Sequence, residues 1–252
     1  MNMGNFKFFR KACSCALMAA FTVALGSVAS AQVIDVFSGD LSAYTLTRIL
    51  DANGGANNSG VNFEIVGGEL GFTTATFNGI EQYAFIRDGL TLSVGQELQV
   101  DISGNRGGSQ DIGLYVGGLS PTTDVRQEYV NVYYRYTNDN ILTRGFDGTT
   151  EFSSAGTSAG LQPDATSLFI ARTAVDEYEL GFNSPADGRS IIQTRSGLTG
   201  NDASFVGFYA DVRAAGTVGF VDNLRVVGVP EPTGFALISL ASIVGLARRR
   251  RS

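Results

Sequence analysis

Four stretches of this chain alternate apolar and polar residues with a period of two. Leu98, Val100 and Ile102 alternate with Glu97, Gln99 and Asp101, and between Gln127 and Tyr136 the series Val130, Val132, Tyr134 alternates with Tyr129, Asn131, Tyr133. Tyr178, Leu180 and Phe182 alternate with Glu177, Glu179 and Gly181, and from Phe205 to Arg213 Val206, Phe208, Ala210 and Val212 fall opposite Phe205, Tyr209, Asp211 and Arg213. Successive side chains of a strand point to opposite faces, so this period marks strands and excludes helices over the same residues. Turn-forming clusters punctuate them: Asn53-Gly54-Gly55, Gly67-Gly68, Asn105-Arg106-Gly107-Gly108, Asp147-Gly148, Asp187-Gly188 and Thr199-Gly200-Asn201. The pattern predicts roughly a dozen short strands in one domain over residues 32–229, an all-β antiparallel β-sandwich or barrel.

The residues that are missing narrow the chemistry. The chain has no His and no Trp, and its two Cys (Cys13, Cys15) and two Lys (Lys7, Lys11) fall within the first 15 residues. Residues 32–229 therefore carry no His, Cys or Lys. A Ser–His–Asp triad needs an imidazole, and Cys nucleophiles and Schiff bases need a thiol or an amine. Zinc, haem and iron–sulfur sites draw on His or Cys. Carboxylate, tyrosine and arginine chemistry remains. The same body holds 11 Arg against 23 acidic residues, a net charge of −12, so nucleic acid is not an expected partner. No cofactor is expected. Asp35 and Asp222 could be bridged by a structural Ca²⁺ if the first and last strands pair, although neither lies in a recognisable calcium loop.

Both ends have the character of addresses. Lys7, Arg10 and Lys11 precede an apolar run from Ala12 to Val28, and Ala29-Ser30-Ala31 then offers small side chains for cleavage before Gln32. This is the order of a secretory signal peptide over residues 1–31, with an uncleaved membrane anchor as the alternative. At the other end Pro230-Glu231-Pro232 is followed by an uncharged apolar stretch, Thr233 to Ala247, and by Arg248, Arg249, Arg250 and Arg251. Fifteen helical residues span about 22 Å, short of the ~30 Å hydrocarbon core, and snorkelling arginines make up part of the difference. The arginines hold that end in the cytoplasm, which places the body on the far side of the membrane.

The tail, residues 230–252, resembles the PEP-CTERM sorting signal of exported bacterial proteins. The resemblance implies that Pro230, Glu231 and Pro232 are a recognition motif, that Arg248 to Arg251 form a stop-transfer cluster, and that a membrane protease of the exosortase type removes the tail. It further implies signal peptidase and exosortase as processing partners, a transient stay in the inner membrane, and a destination at the cell surface or outside, among exopolysaccharide and biofilm matrix. The body has an opening segment, Val33-Ile34-Asp35-Val36-Phe37, and a closing one, Gly219 to Val226, with Asp222-Asn223 at its centre. In this it resembles the concanavalin A-like (laminin G-like) jelly roll, which implies that the first and last strands lie side by side.

Two surfaces could act on sugar. Tyr129, Asn131, Tyr133 and Arg135 share one strand face and combine flat amphipathic rings with planar hydrogen-bonding groups; they are the candidate ligand face. Arg172, Tyr209, Asp211 and Arg213 extend it if their strands are neighbours. Glu177 and Glu179 share another face at a spacing of about 6.6 Å, near the separation a glycosidase uses. Gly156-Thr157-Ser158-Ala159-Gly160 matches a nucleophile elbow by letter, but no histidine exists to serve its serine. The expectation is a non-catalytic structural or carbohydrate-binding β-sandwich, and the alternative is a carboxylate-dependent polysaccharide hydrolase or lyase built on Glu177 and Glu179.

Overall fold

The computed structural model describes residues 31–229, apart from 53–59, 78, 103–110, 137, 153–157, 213–215 and 218–219. The signal segment, the Pro-Glu-Pro motif, the apolar tail and Arg248 to Arg251 lie outside the described residues, as do both flanking helices expected there. Among the described residues there is no helix. The strands, in chain order, are β1 (Gln32–Asp35), β2 (Tyr44–Asp51), β3 (Val61–Val66), β4 (Glu69–Thr74), β5 (Glu81–Arg87), β6 (Gln96–Ile102), β7 (Asp111–Gly117), β8 (Tyr129–Arg135) and β9 (Asn140–Phe146). They continue with β10 (Glu151–Phe152), β11 (Ser158–Leu161), β12 (Ser167–Ala174), β13 (Glu177–Ser184), β14 (Gly188–Arg195), β15 (Phe205–Val212), β16 (Gly216–Thr217) and β17 (Val221–Gly228).

These strands form two antiparallel sheets. The first runs β14-β13-β12-β6-β17-β4-β16, with β1 on β17 and β3 on β4. The second runs β10-β9-β8-β7-β15-β5-β2, with β11 on β9. The four alternating stretches became β6, β8, β13 and β15, and their apolar members Leu98, Val132, Leu180 and Phe208 all point into the space between the sheets. One large cluster fills that space. Phe63 stacks on Phe85 at 4.2 Å, and Tyr44 stacks on the other side at 4.8 Å, which ties β3 of one sheet to β5 and β2 of the other. Each fully buried Phe or Leu contributes about 1.5–3 kcal/mol relative to exposure, so this inter-sheet layer holds the sandwich together.

The first and last strands pair as expected. Gln32 lies opposite Val226 and Val33 opposite Arg225, and after a bulge Asp35 meets Leu224. Asp222 and Asn223 sit where β17 leaves β6 register, and Asn223 adopts a left-handed φ of 53°. Of the elbow-like motif, Gly156 and Thr157 lie outside the described residues, and Ser158 opens a β-strand against Leu142 rather than a helix.

Candidate functional site

The second sheet buries its outward face as well as its inward one. In β8 the outward residues are Tyr129, Asn131, Tyr133 and Arg135, and the registers place Gly117, Tyr115, Gly113 and Asp111 of β7 beside them. On the other side stand Phe146, Arg144, Leu142 and Asn140 of β9. Tyr209 and Asp211 of β15 lie one strand further, against Gly113 and Asp111. The candidate ligand face therefore exists as one surface, and Tyr209 and Asp211 extend it. It is not open to solvent: Tyr129, Asn131, Tyr133, Tyr209 and Asp211 are all 0% exposed.

Glycine makes this packing possible. Gly113 lies between Tyr133 and Tyr209, whose rings meet at 5.3 Å over it. A Cβ on Gly113 would lie 2.0 Å from the Val132 carbonyl oxygen and 2.4 Å from Tyr133 Cα. Tyr115 and Tyr129 stack nearby at 5.2 Å, and the Tyr129 hydroxyl donates to Gln82 Oε1 at 3.4 Å.

Charge pairs cross the tyrosine layer. Arg144 Nη1 donates to Asp211 Oδ2 at 2.8 Å and to the Tyr209 hydroxyl at 3.2 Å, while its guanidinium lies 5.9 Å from the Tyr133 ring centre. Its Nε sits 3.1 Å from Glu151, a carboxylate that Arg126 also engages. Arg135 grips Asp111 with Nε and Nη2, the latter at 2.8 Å. Burial by itself would lower the Arg144 guanidinium, but the Tyr209 and Tyr133 oxygens and the Asp211 and Glu151 charges hold it far above its ordinary value. Burial, with Asp211 adding and Arg144 opposing, pushes the Tyr209 hydroxyl well up. Burial does the same to Tyr115 and Tyr129. These hydroxyls remain neutral at physiological pH.

Asn131 stands apart. Its side chain is fully buried among these groups, with Tyr115 on one neighbouring strand and Arg144 on the other, and neither its Oδ1 nor its Nδ2 has a hydrogen-bond partner. A buried amide left unsatisfied costs about 1–3 kcal/mol, and such groups in folded proteins call for an explanation.

The other sequence candidates land elsewhere. Arg172 belongs to the first sheet, not to this face: it donates to the carbonyls of Leu92, Asp202 and Val175 and lies over the Tyr178 ring. Arg213 falls outside the described residues. Glu177 and Glu179 do share a strand face, on the first sheet. Glu177 Oε1 accepts from the Thr173 hydroxyl at 2.7 Å, and Glu179 Oε2 accepts from Arg189, which also binds Glu97. Asp35 accepts from the Phe37 amide at 2.8 Å and the Tyr44 hydroxyl at 3.0 Å, and Asp222 accepts from the Asn223 amide. Among the described residues no group of three or more acidic side chains is placed to hold a metal ion. Sequence reasoning missed Arg144, Asp111 and Gly113. Arg144 carried a signal: it alternates with Thr143 and Gly145 in a segment that reads as a strand next to β8.

Comparison with protein-family models gives no match, and comparison with curated proteins gives none. Solved structures do match. One comes from work on endo-acting O-glycanases with which members of the human gut microbiota initiate mucin breakdown; it has a TM-score of 0.51 at 12% identity and covers 79% of this chain and 100% of that one. A Bacillus licheniformis β-glucanase gives 0.48 at 8% identity over 81% and 99% of the two chains. A Bacillus subtilis protein of unknown function with a galectin-like fold gives 0.47 at 9% identity over 80% and 100%. At such identities the likeness concerns the fold. The domain is an antiparallel β-sandwich of the concanavalin A-like jelly-roll class.

Proposed function

We propose that this chain is an exported envelope or matrix protein whose sandwich binds carbohydrate without cutting it, through the outward face of the second sheet. Asn131 carries the reading. Its amide offers one acceptor and two donors with no protein partner, set among tyrosine rings, and that combination can take a sugar hydroxyl while a ring lies against an apolar face. Because the face is covered, a sugar reaches it only when the rim opens, and Arg135, Arg126 and Glu151, with side chains 24, 22 and 28% exposed, form that rim. Hydrolysis is not favoured: Glu177 and Glu179 lie on the other sheet and are engaged by Thr173 and Arg189.

A glycan array on the processed protein tests this. The wild type retains a polysaccharide or oligosaccharide, Asn131→Leu does not, and the Glu177→Gln/Glu179→Gln double variant binds as the wild type does. Equal retention by wild type and Asn131→Leu, or release of reducing ends that the double variant abolishes, overturns the proposal.

Sorting through a PEP-CTERM tail belongs to the same reading and rests on the Pro-Glu-Pro motif, the apolar run and the arginine cluster. Intact mass of the extracellular form then lacks residues 1–31 and the Arg248–Arg251 cluster. Recovery outside the cell of chain that still ends at Ser252 counts against it.

A further inference from the structure

Both points at which the chain leaves the sandwich lie at the same end. The β1 strand begins at Gln32, opposite Val226 of β17, only three residues before Val229. The Val229 amide donates to the Gly95 carbonyl at 2.7 Å, and the Gly95 amide in turn donates to the Arg172 carbonyl at 2.8 Å. The turn before β6, the turn between β12 and β13, and the end of β17 are thus stitched into one tip. Turns usually carry polar residues, yet this tip displays Val175, 70% exposed, and Val94, 48% exposed.

We propose that this tip is a lipid-facing surface: it rests against the outer leaflet of the membrane that holds the unprocessed chain. The inference builds on the export reading above and adds which surface of the sandwich meets the bilayer. The chain outside the domain supplies the argument. Three residues, 230–232, separate Val229 from the apolar run that starts at Thr233, and three, 29–31, separate Gln32 from the run that ends at Val28. At ~3.5 Å per extended residue, neither link lets the tip stand more than roughly 10 Å from the lipid surface. The acidic body, net −12, is repelled by an anionic surface, so the contact is imposed by the tethers and ends when they are cut. The valines lower the cost of holding the tip there, since each gives up hydrated apolar surface on contact.

The test uses full-length chain carrying Cys13→Ser and Cys15→Ser, so that a single introduced cysteine carries an environment-sensitive fluorophore. The protein is reconstituted into vesicles of phosphatidylethanolamine with a minor share of phosphatidylglycerol and spin-labelled lipid. Probes go at Val175→Cys on the tip, at Asp187→Cys in the β13–β14 turn about 25 Å away along the strands, and at Ser242→Cys in the apolar tail. The expected result is quenching at 242 and 175 and none at 187. Quenching at 242 with none at 175, or equal quenching at 175 and 187, overturns the tip assignment and leaves the export reading standing. No quenching at 242 overturns both. A probe at 175 that is shielded without being quenched by lipid reports a second copy of the chain on the tip, which also overturns the assignment.

Discussion

Arg144 reaches Asp211 across two intervening strands: its Nη1 lies 2.8 Å from Oδ2, although β8 and β7 separate β9 from β15. The span is open because Gly113 places no side chain in the gap, and the guanidinium lies along Tyr133 on its way. Removing one partner of a buried ion pair costs about 3–5 kcal/mol, because the other charge loses its compensation. Arg144→Met should therefore lower the unfolding free energy, read from a fall in the urea midpoint, by an amount near the low end of that range, because other contacts keep part of Asp211 satisfied. Arg144→Lys should recover only part, as one ammonium cannot meet Asp211 and Glu151 together in the way that Nη1 and Nε do. An unchanged midpoint for Arg144→Met would show that the pair contributes nothing net.

Asn131→Leu is expected to stabilise the unliganded fold. It exchanges an amide with two unpartnered atoms for an apolar side chain of similar size, which removes a penalty of about 1–3 kcal/mol. A higher urea midpoint together with lost glycan retention is the signature of a residue kept for binding. A lower midpoint means that the amide supports the fold.

Gly113→Ala should be among the most damaging single changes. The new methyl would meet backbone at 2.0 Å and 2.4 Å, and backbone cannot swing aside as a flexible side chain can. Overpacking of this kind costs about 1–3 kcal/mol and sometimes more. Thermal unfolding checks it, and an unaltered Tm would mean that β7 and β8 separate with ease.

Asn201 pins the loop beside the tip. Its Oδ1 accepts the Ala203 amide at 3.1 Å, its Nδ2 donates to the Val116 carbonyl at 3.2 Å, and its carbonyl accepts the Tyr178 hydroxyl at 2.7 Å. Burial pushes that hydroxyl up to about 12, with Arg172 opposing. Asn201→Ala should cost about 2 kcal/mol through the buried groups it strands, and hydrogen exchange should rise at Ala203, which sits at a φ of 59°. Exchange there at the wild-type rate would rule out the pin.

Asp222 gives a pH-dependent expectation. Burial raises its carboxyl above the ordinary range, the Asn223 amide opposes this, and Glu69, Asp101 and Asp35 add to the rise. A carboxyl whose folded pKa is raised favours the folded state below its unfolded value and disfavours it once the pH passes the folded one. Asp222→Asn keeps the acceptor for Asn223 and removes the charge. It should raise Tm at pH 7, with the gain fading as the pH falls and gone below the ordinary Asp pKa of about 3.9, where the wild-type carboxyl becomes protonated in both states. A gain that persists at pH 3 would point to packing rather than charge.

Much of this was readable in advance, and the reason is local. Side-chain parity along a strand is set by the pleat, so Tyr129, Asn131, Tyr133 and Arg135 had to share a face and Val130, Val132 and Tyr134 the other. The pairing of β1 with β17 was what the resemblance to the concanavalin A-like jelly roll implied. Arg172 shows where that reasoning stops. Its own strand gave no information about which sheet it would join, and it became an anchor for loop carbonyls on the first.

Taken alone, the order of residues determined that the body is made of strands, which side chains travel together, and that no imidazole, thiol or amine is at hand in residues 32–229. Only the tertiary structure decided that both faces of β8 are covered, that Arg144 meets Asp211, and that Asn131 is left without a partner. Alternation encodes a side but not what lies above it, because strand order and sheet curvature arise from contacts between residues far apart in the chain.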